Sequence, residues 1–457
     1  MNDQQQEKYI RMTTAPVGRL ICKLAVPTII SMMITAAYNM VDTFFVGQLH
    51  SNSATGAVGV AFSLMAIFQA TGFFFGHGSG NYISMELGKK NTENAAKMAA
   101  TGVVYALLAG GVILALGEIF LDPLARLLGS TETILPYARD YLRIILMGAP
   151  WITASFVLNN QLRFQGSAAY GMVGIVAGAV LNVGLDPLFM FAFGMGIAGA
   201  ALATIISQFT SFCLLLIMCT RGGNLSVRLR NVQFHWRWFI QICKGGLPSL
   251  CRQGLMSIST ICLNNAAGAF GGGDAAIAAM SVVQRAMMMA NSALIGFGQG
   301  FQPVCGFNHG AKKYDRVLKG SWFCVRWSTV FLAVAGAVIF AFAPDIIAVF
   351  RDDPDVVDFG KVAMRAQCCT FFLCGFNMVS SMMTQTINKV AQASVLAVAR
   401  QGLFFIPVVL ILPRIIGPLG IQLAQPICDV CAFLLTIPLT AGVLREMKQA
   451  QKAVENG

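Results

Sequence analysis

Charge is what this chain has least of. Of its 457 residues 11% are Asp, Glu, Lys or Arg, while 56% are hydrophobic and the mean hydropathy is +0.67. A soluble chain carries about a quarter charged residues, so the scarcity excludes a soluble globular protein and indicates a polytopic membrane protein. Acid is the scarcer sign, 20 residues against 32 basic ones for a net charge of +12. The basic residues punctuate apolar runs and form no stripe, which argues against nucleic-acid binding. Histidine is rarer still. His50, His77, His235 and His309 lie scattered without ligand spacing, so no metal centre is expected and no cofactor beyond a coupling ion. The 13 cysteines are an odd number set mostly in apolar runs, so they read as small hydrophobes rather than a disulfide framework. Cys428 and Cys431 form a C-x-x-C with no second ligand pair, which makes zinc unexpected. The glycine-rich piece Gly76 to Gly80 has no following Lys-Ser/Thr; it suits close helix contact rather than phosphate. The polar start, Met1 to Arg11, leads into a long apolar run without a small-residue cleavage site, so no cleavable secretory signal is expected.

What is present in quantity is long apolar sequence. At about 20 residues per span, twelve segments are expected, the first six near 20–47, 55–86, 94–120, 134–162, 169–193 and 196–219. Six more follow near 239–270, 275–308, 317–343, 357–387, 393–415 and 418–444. Basic residues of the N-terminus and alternate loops outnumber those of the opposite loops roughly three to one, which puts both termini in the cytoplasm. The chain also repeats itself. I-C-K-L-A-V-P from Ile21 to Pro27 returns in the second half as I-C-K-G-G-L-P from Ile242 to Pro248. At nearly the same offset, Gly88-Lys89-Lys90 is matched by Gly310-Ala311-Lys312-Lys313, and Gly196-Ile197 by Gly420-Ile421. The fold class expected is therefore all-α integral membrane, with two six-helix bundles related by a pseudo-two-fold axis along the membrane normal. The bundles would span 1–220 and 239–457, with a cytoplasmic linker at 221–238.

Against that background, acids inside spans stand out. Asn182 and Asp186 lie four residues apart, one helical turn, so amide and carboxylate share a face. A carboxylate within hydrocarbon costs roughly 3 kcal/mol or more on insertion scales, and such groups face a cavity or a partner. Asp42 continues a stripe begun by Thr35 and Asn39 on the first span. Shifted by the repeat, Asp42 lands on Leu263 and Asp186 between Leu410 and Leu412, so the acids belong to something only the first half does. Two carboxylates facing one dry cavity cannot both stay ionised; they hold a proton or a small cation. Asn182 and Thr204 offer neutral oxygens for Na+. Asn39, Tyr141, Asn159, Gln208 and Gln284 are further candidates to line a cavity. Pro27 removes the hydrogen bond to Lys23 and is a candidate hinge or fixed kink. In the second half, Arg400 is expected to pair locally or to snorkel to the cytoplasmic face.

Three pieces carry a family resemblance: L-A-V-P (Leu24 to Pro27) with N-M-V-D-T-F-F-V-G (Asn39 to Gly47), N-V-G-L-D-P (Asn182 to Pro187), and G-I-A-G-A-A-L-A-T (Gly196 to Thr204). Together the chain resembles the multidrug and toxic compound extrusion (MATE) family, in particular its DinF-like prokaryotic branch. The resemblance implies a V-shaped pair of six-helix bundles that exports small, cationic, amphipathic drugs in exchange for H+ or Na+. It implies a monomer of the plasma membrane, not an enzyme, whose partners are drugs and membrane lipids. It places an ion site in the first bundle, at Asp42, Asn182, Asp186 and Thr204, with Asn159 and Tyr141 nearby. The eighth-helix acid of the NorM branch is absent, and Gln284 stands near its place. A lipid-linked saccharide flippase of the same superfamily is the alternative reading, and it would want a cationic cavity. An intramembrane aspartyl protease is a remote one, since the Y-D and G-x-G-D patterns of those enzymes are missing here.

Overall fold

A computed structural model describes residues 3–48, 52–270, 273–350 and 352–455; within it the side chains of residues 38–40, 42–44 and 52–55 lie outside the description. Every regular element among the described residues is helical. In the first half these are α1 (Asp3–Thr14), α2 (Val17–Gly47), α3 (Asn52–Gly88), α4 (Thr92–Ile119), α5 (Leu121–Leu127), α6 (Leu135–Met147), α7 (Ala149–Phe164), α8 (Ala168–Pro187) and α9 (Gly196–Cys219). The second half has α10 (Trp236–Phe270), α11 (Asp274–Gly310), α12 (Tyr314–Ala341), α13 (Ala343–Phe350), α14 (Pro354–Thr370), α15 (Leu373–Thr386), α16 (Val390–Val398), α17 (Phe405–Ile416) and α18 (Pro418–Glu455).

The twelve spans follow from these. Eight are single runs long and apolar enough to cross a membrane, and two more are bent pairs, α6–α7 at 54° and α14–α15 at 59°. The remaining two are α10 and α11, of 35 and 37 residues. Their embedded Arg252, Arg285 and amide side chains make them too polar for a hydropathy test. The twelfth helix runs to Glu455 rather than ending near 444, because its polar tail finds partners. Lys389 pairs with Glu446, and the Gln451 side-chain carbonyl accepts from the Asp315 amide at 3.3 Å.

The duplication is written in the backbone. Left-handed φ occurs at Lys90 and Lys312 (63° and 58°), Gly166 and Asn388 (76° and 65°), and Gly194 and Gly417 (67° and 64°). Each pair keeps the repeat spacing. An exposed apolar stripe, Leu108, Val112 and Leu116 on α4, recurs at the repeat-related positions Val330, Val334 and Val338 on α12. Stripes at four-residue spacing on an apolar helix are lipid-facing surface.

The helices form two compact units, one of residues 1–14 and 30–246, the other of 15–29 and 247–457. The expected boundaries, 1–220 and 239–457, are therefore crossed twice. The start of α2 belongs with the second unit, and the start of α10 with the first. Both divisions fall within three residues of a proline, Pro27 or Pro248. Glycines make the exchange possible. A Cβ on Gly78 would lie 2.2 Å from the Ile242 carbonyl oxygen, and one on Gly246 2.2 Å from that of Phe74. In the second unit a Cβ on Gly300 would lie 2.6 Å from Ala25 Cα. Backbones this close admit no side chain.

In the first unit, Phe68, Leu142, Ile145 and Leu146 are fully buried at the centre of the core; in the second, Val283, Leu332, Ile347 and Val409 are. The polar N-terminus is itself ordered as α1. Lys8 Nζ donates to Ser167 Oγ at 2.8 Å and to Asn224 Oδ1 at 2.7 Å, and Met12 is buried against Gly166.

Candidate ion-binding site

The site begins with a helix that cannot finish regularly. Pro187 has no amide hydrogen, so the Val183 carbonyl loses its helical partner. The chain answers with a widened π turn, Leu188–Ala192, directly after Asp186 and Pro187. Such turns are rare and recur at functional sites. The next helix holds this turn closely, since a Cβ on Gly199 would lie 2.7 Å from the Phe189 carbonyl carbon.

Asp186 is wholly buried, and Asn182, one turn earlier, is 3% exposed. The Asn182 amide donates to Asp186 Oδ1 at 3.3 Å and to Thr204 Oγ1 at 3.5 Å. Thr204 spends its own proton on the Ala200 carbonyl at 3.0 Å. This leaves Asn182 Oδ1 buried without a hydrogen-bond donor, and Ser207 Oγ is likewise buried and unpartnered. Buried polar atoms are satisfied in the great majority of cases, so two such oxygens in one site with a carboxylate are unusual. All the oxygens here, from carboxylate, amide and hydroxyl, are hard donors of the type that holds H+ or Na+.

Beside them lies a cavity of about 60 Å³, lined among others by Thr35, Asn159, Asn182, Thr204, Ser207, Gln208 and Ser211. One water needs about 10–15 Å³ of such space, so several waters or a partly hydrated ion fit. A drug-sized ligand needs roughly 300 Å³ or more. The chamber is of a size for water or a small ion and too small for a drug.

The structure thus brings together Asn182, Asp186, Thr204, Asn159 and Gln208. Tyr141 does not line the cavity: it is 4% exposed and packed in the first unit's apolar core. Gln284 is an exposed residue of the second unit. Asn39 and Asp42 lie on α2, but their side chains are outside the described residues. Pro27 sits inside α2, three residues before the unit division. Ser207 and Ser211 were missed by the sequence reading. Their signal was the polar set Thr204, Ser207, Gln208 and Ser211, spaced at i, i+3, i+4 and i+7 along one helical face.

A second buried acid corrects the expected asymmetry between halves. Asp429, on α18, is 1% exposed and paired with Arg400 through Nε at 2.6 Å. Arg400 therefore pairs locally, within the second unit.

Two six-span bundles on one repeated plan, with an acid buried beside a polar chamber, define the class of duplicated membrane transporters. The MatE family model matches residues 27–188 and again 248–411. The chain belongs to the MatE family, whose members are multi-pass transporters and not enzymes. The two matches begin at repeat-related positions, the kinked prolines Pro27 and Pro248. The multidrug export protein MepA of Staphylococcus aureus (strain MSSA476) is 25% identical over 439 residues, covering 94% of this chain and 96% of that protein. MepA of Staphylococcus saprophyticus is 26% identical over the same length. Among solved structures, a MATE in complex with MaL6 superposes with a TM-score of 0.90 at 24% identity, over 96% of this chain and 99% of that one. An outward-facing multidrug resistance MATE transporter of the MOP superfamily gives 0.89 at 24%, over 96% and 98%.

Proposed function

We propose that this protein is a secondary antiporter that exports small amphipathic cations, in exchange for H+ or Na+ taken up at the first bundle. The observation that carries the reading is the wholly buried Asp186 beside two donor-less buried oxygens, Asn182 Oδ1 and Ser207 Oγ. That arrangement is poorly satisfied when empty and well satisfied by a small cation. Asp42 is proposed to complete it from the first span. Loading the cation neutralises the carboxylate and lets the π turn and α9 repack, and drug release accompanies that step. One charge crossing 100 mV supplies about 2.3 kcal/mol, enough for more than a tenfold gradient at about 1.4 kcal/mol per decade. The names of the MepA relatives support multidrug export. The loop charges support both termini in the cytoplasm, and the proposal takes the protein as a plasma-membrane monomer.

The test is efflux from reconstituted vesicles with pH and Na+ gradients imposed separately. Wild-type protein is expected to move a cationic dye against its gradient with one of the two ions. Asp186→Asn should abolish that coupling while leaving expression and melting intact. Coupled efflux that survives the substitution removes Asp186 from the mechanism. Movement of a polyprenyl-linked saccharide in place of dye would favour a flippase.

A further inference from the structure

The second bundle solves the same electrostatic problem differently. Asp429 Oδ1 accepts from Arg400 Nε at 2.6 Å and from Gln425 Nε2 at 3.0 Å, while Oδ2 accepts from Thr370 Oγ1 at 3.4 Å. These groups come from three different spans, two of them at irregular points. Arg400 lies in a π turn, Ala399–Phe404, and Thr370 is the last residue of α14 before its 59° bend. The first bundle has the same pair of irregularities, a broken fourth span and a π turn in the fifth, the latter directly after Asp186 and Pro187. Asp186 accepts from the Asn182 amide, whereas Asp429 is paired with a fixed positive charge.

We propose that Arg400 is a tethered cation, and that Asp429, Thr370 and Gln425 form a monovalent-cation site kept closed by its guanidinium. A buried carboxylate needs one positive charge nearby, and it accepts a proton, an alkali ion or an arginine. With the arginine covalently attached, the charge never leaves, and the second bundle does not exchange ions. Without it, the two carboxylate oxygens remain with the Thr370 hydroxyl beside them, and the Gln425 amide can turn its oxygen in place of its NH2 toward a bound cation. Such hard oxygens suit Na+. The Arg400 side chain is 28% exposed, against 2% for Asp429.

The experiment uses the full-length protein in detergent, in an Asp186→Asn background, so that the first bundle's carboxylate does not answer; the ion-site reading of Asp186 is judged separately, by vesicle efflux. Melting temperature is followed in NaCl against choline chloride, and across pH. Arg400→Ala is expected to introduce a rise of several degrees with Na+, or on acidification, that the Asp186→Asn parent lacks. Choline, too large for the site, should do nothing. Arg400→Lys keeps a tethered charge and should stay as flat as the parent. An Arg400→Ala protein that melts independently of both Na+ and pH overturns the proposal. If that variant yields no folded protein, the double variant Arg400→Gln, Asp429→Asn decides. It must fold, with a melting temperature near the parent's and no response to cations, and its failure to fold overturns the proposal equally.

Discussion

The two bundles share a plan and differ in how each buries an acid. In the first, Asp186 is held by a neutral amide beside a chamber with room for water. In the second, Asp429 is held by Arg400, with a hydroxyl and an amide filling in. Duplication supplied both with a broken span and a π turn. Those irregularities open backbone and space within a helix, but they do not decide what the space does. The charge inventory decides it. Under the proposed function, neutral oxygens leave the first site to an exchangeable ion, while in the second the guanidinium holds that place.

That contrast is sharpest in the stability cost of removing each acid. Asp429→Asn strands the Arg400 charge, and breaking a buried pair from one side costs about 3–5 kcal/mol. Asp186→Asn replaces a desolvated carboxylate by a neutral amide of the same shape that can still accept from Asn182, so the change should lie within about 1 kcal/mol of zero. Denaturation of the two purified variants beside wild type measures both. Equal losses would erase the distinction between exchangeable and tethered charge.

The next largest effect should be the same in both bundles, because packing was duplicated where charge was not. Gly78 and Gly300 meet the opposing backbone with no room for a Cβ, at 2.2 Å and 2.6 Å. Overpacking typically costs about 1–3 kcal/mol, and a clash with backbone belongs at the upper end. Gly78→Ala and Gly300→Ala should lower stability by similar amounts. A loss confined to one of them would mean that the exchange of helix segments at α2 and α10 is structural in only one unit.

How far these features were legible beforehand depended on their range. Span count, repeat and the Asn182–Asp186 face were readable, because apolar runs, offsets and one-turn spacing are local properties of the chain. The bends within the fourth and tenth spans were not: Gly148 and Phe371 to Phe372 are unremarkable in an apolar run, and the breaks follow from packing. The segment exchange was half visible, since Pro27 and Pro248 announced kinks without saying what each half would touch. Asp429 sits between Cys428 and Cys431 near the middle of an apolar run, and nothing adjacent in sequence shows its partner. Its significance lies in Arg400, 29 residues earlier in the chain. Pairing at that range is a tertiary fact.

Lys8 offers a smaller effect, specific to the first unit. Burial and the Arg11 charge depress its ammonium from 10.5 to about 7. A lysine depressed on folding binds fewer protons folded than unfolded between those two values, so stability rises with pH across that window. The slope is at most about 1.4 kcal/mol per pH unit. Lys8→Met should flatten the pH dependence of melting above neutrality. An unchanged slope would place the titration elsewhere.

The smallest expected stability change separates an ion ligand from ordinary packing. Ser207 Oγ is buried without a hydrogen-bond partner, so Ser207→Ala removes a hydroxyl that contributes no protein hydrogen bond. Stability should stay within about 0.5 kcal/mol of wild type or rise slightly, because an unsatisfied buried group is a cost. Ion coupling should respond in the opposite sense. If the hydroxyl is a ligand, the ion concentration for half-maximal efflux should rise severalfold, since a loss of about 1.4 kcal/mol in binding is tenfold. A comparison position in the second bundle is Val430, an exposed apolar residue on α18. Val430→Ala should leave ion dependence untouched. A Ser207→Ala protein with unaltered ion affinity would limit the chamber's role to water, and would throw the whole of the coupling onto Asp186, Asn182 and Thr204.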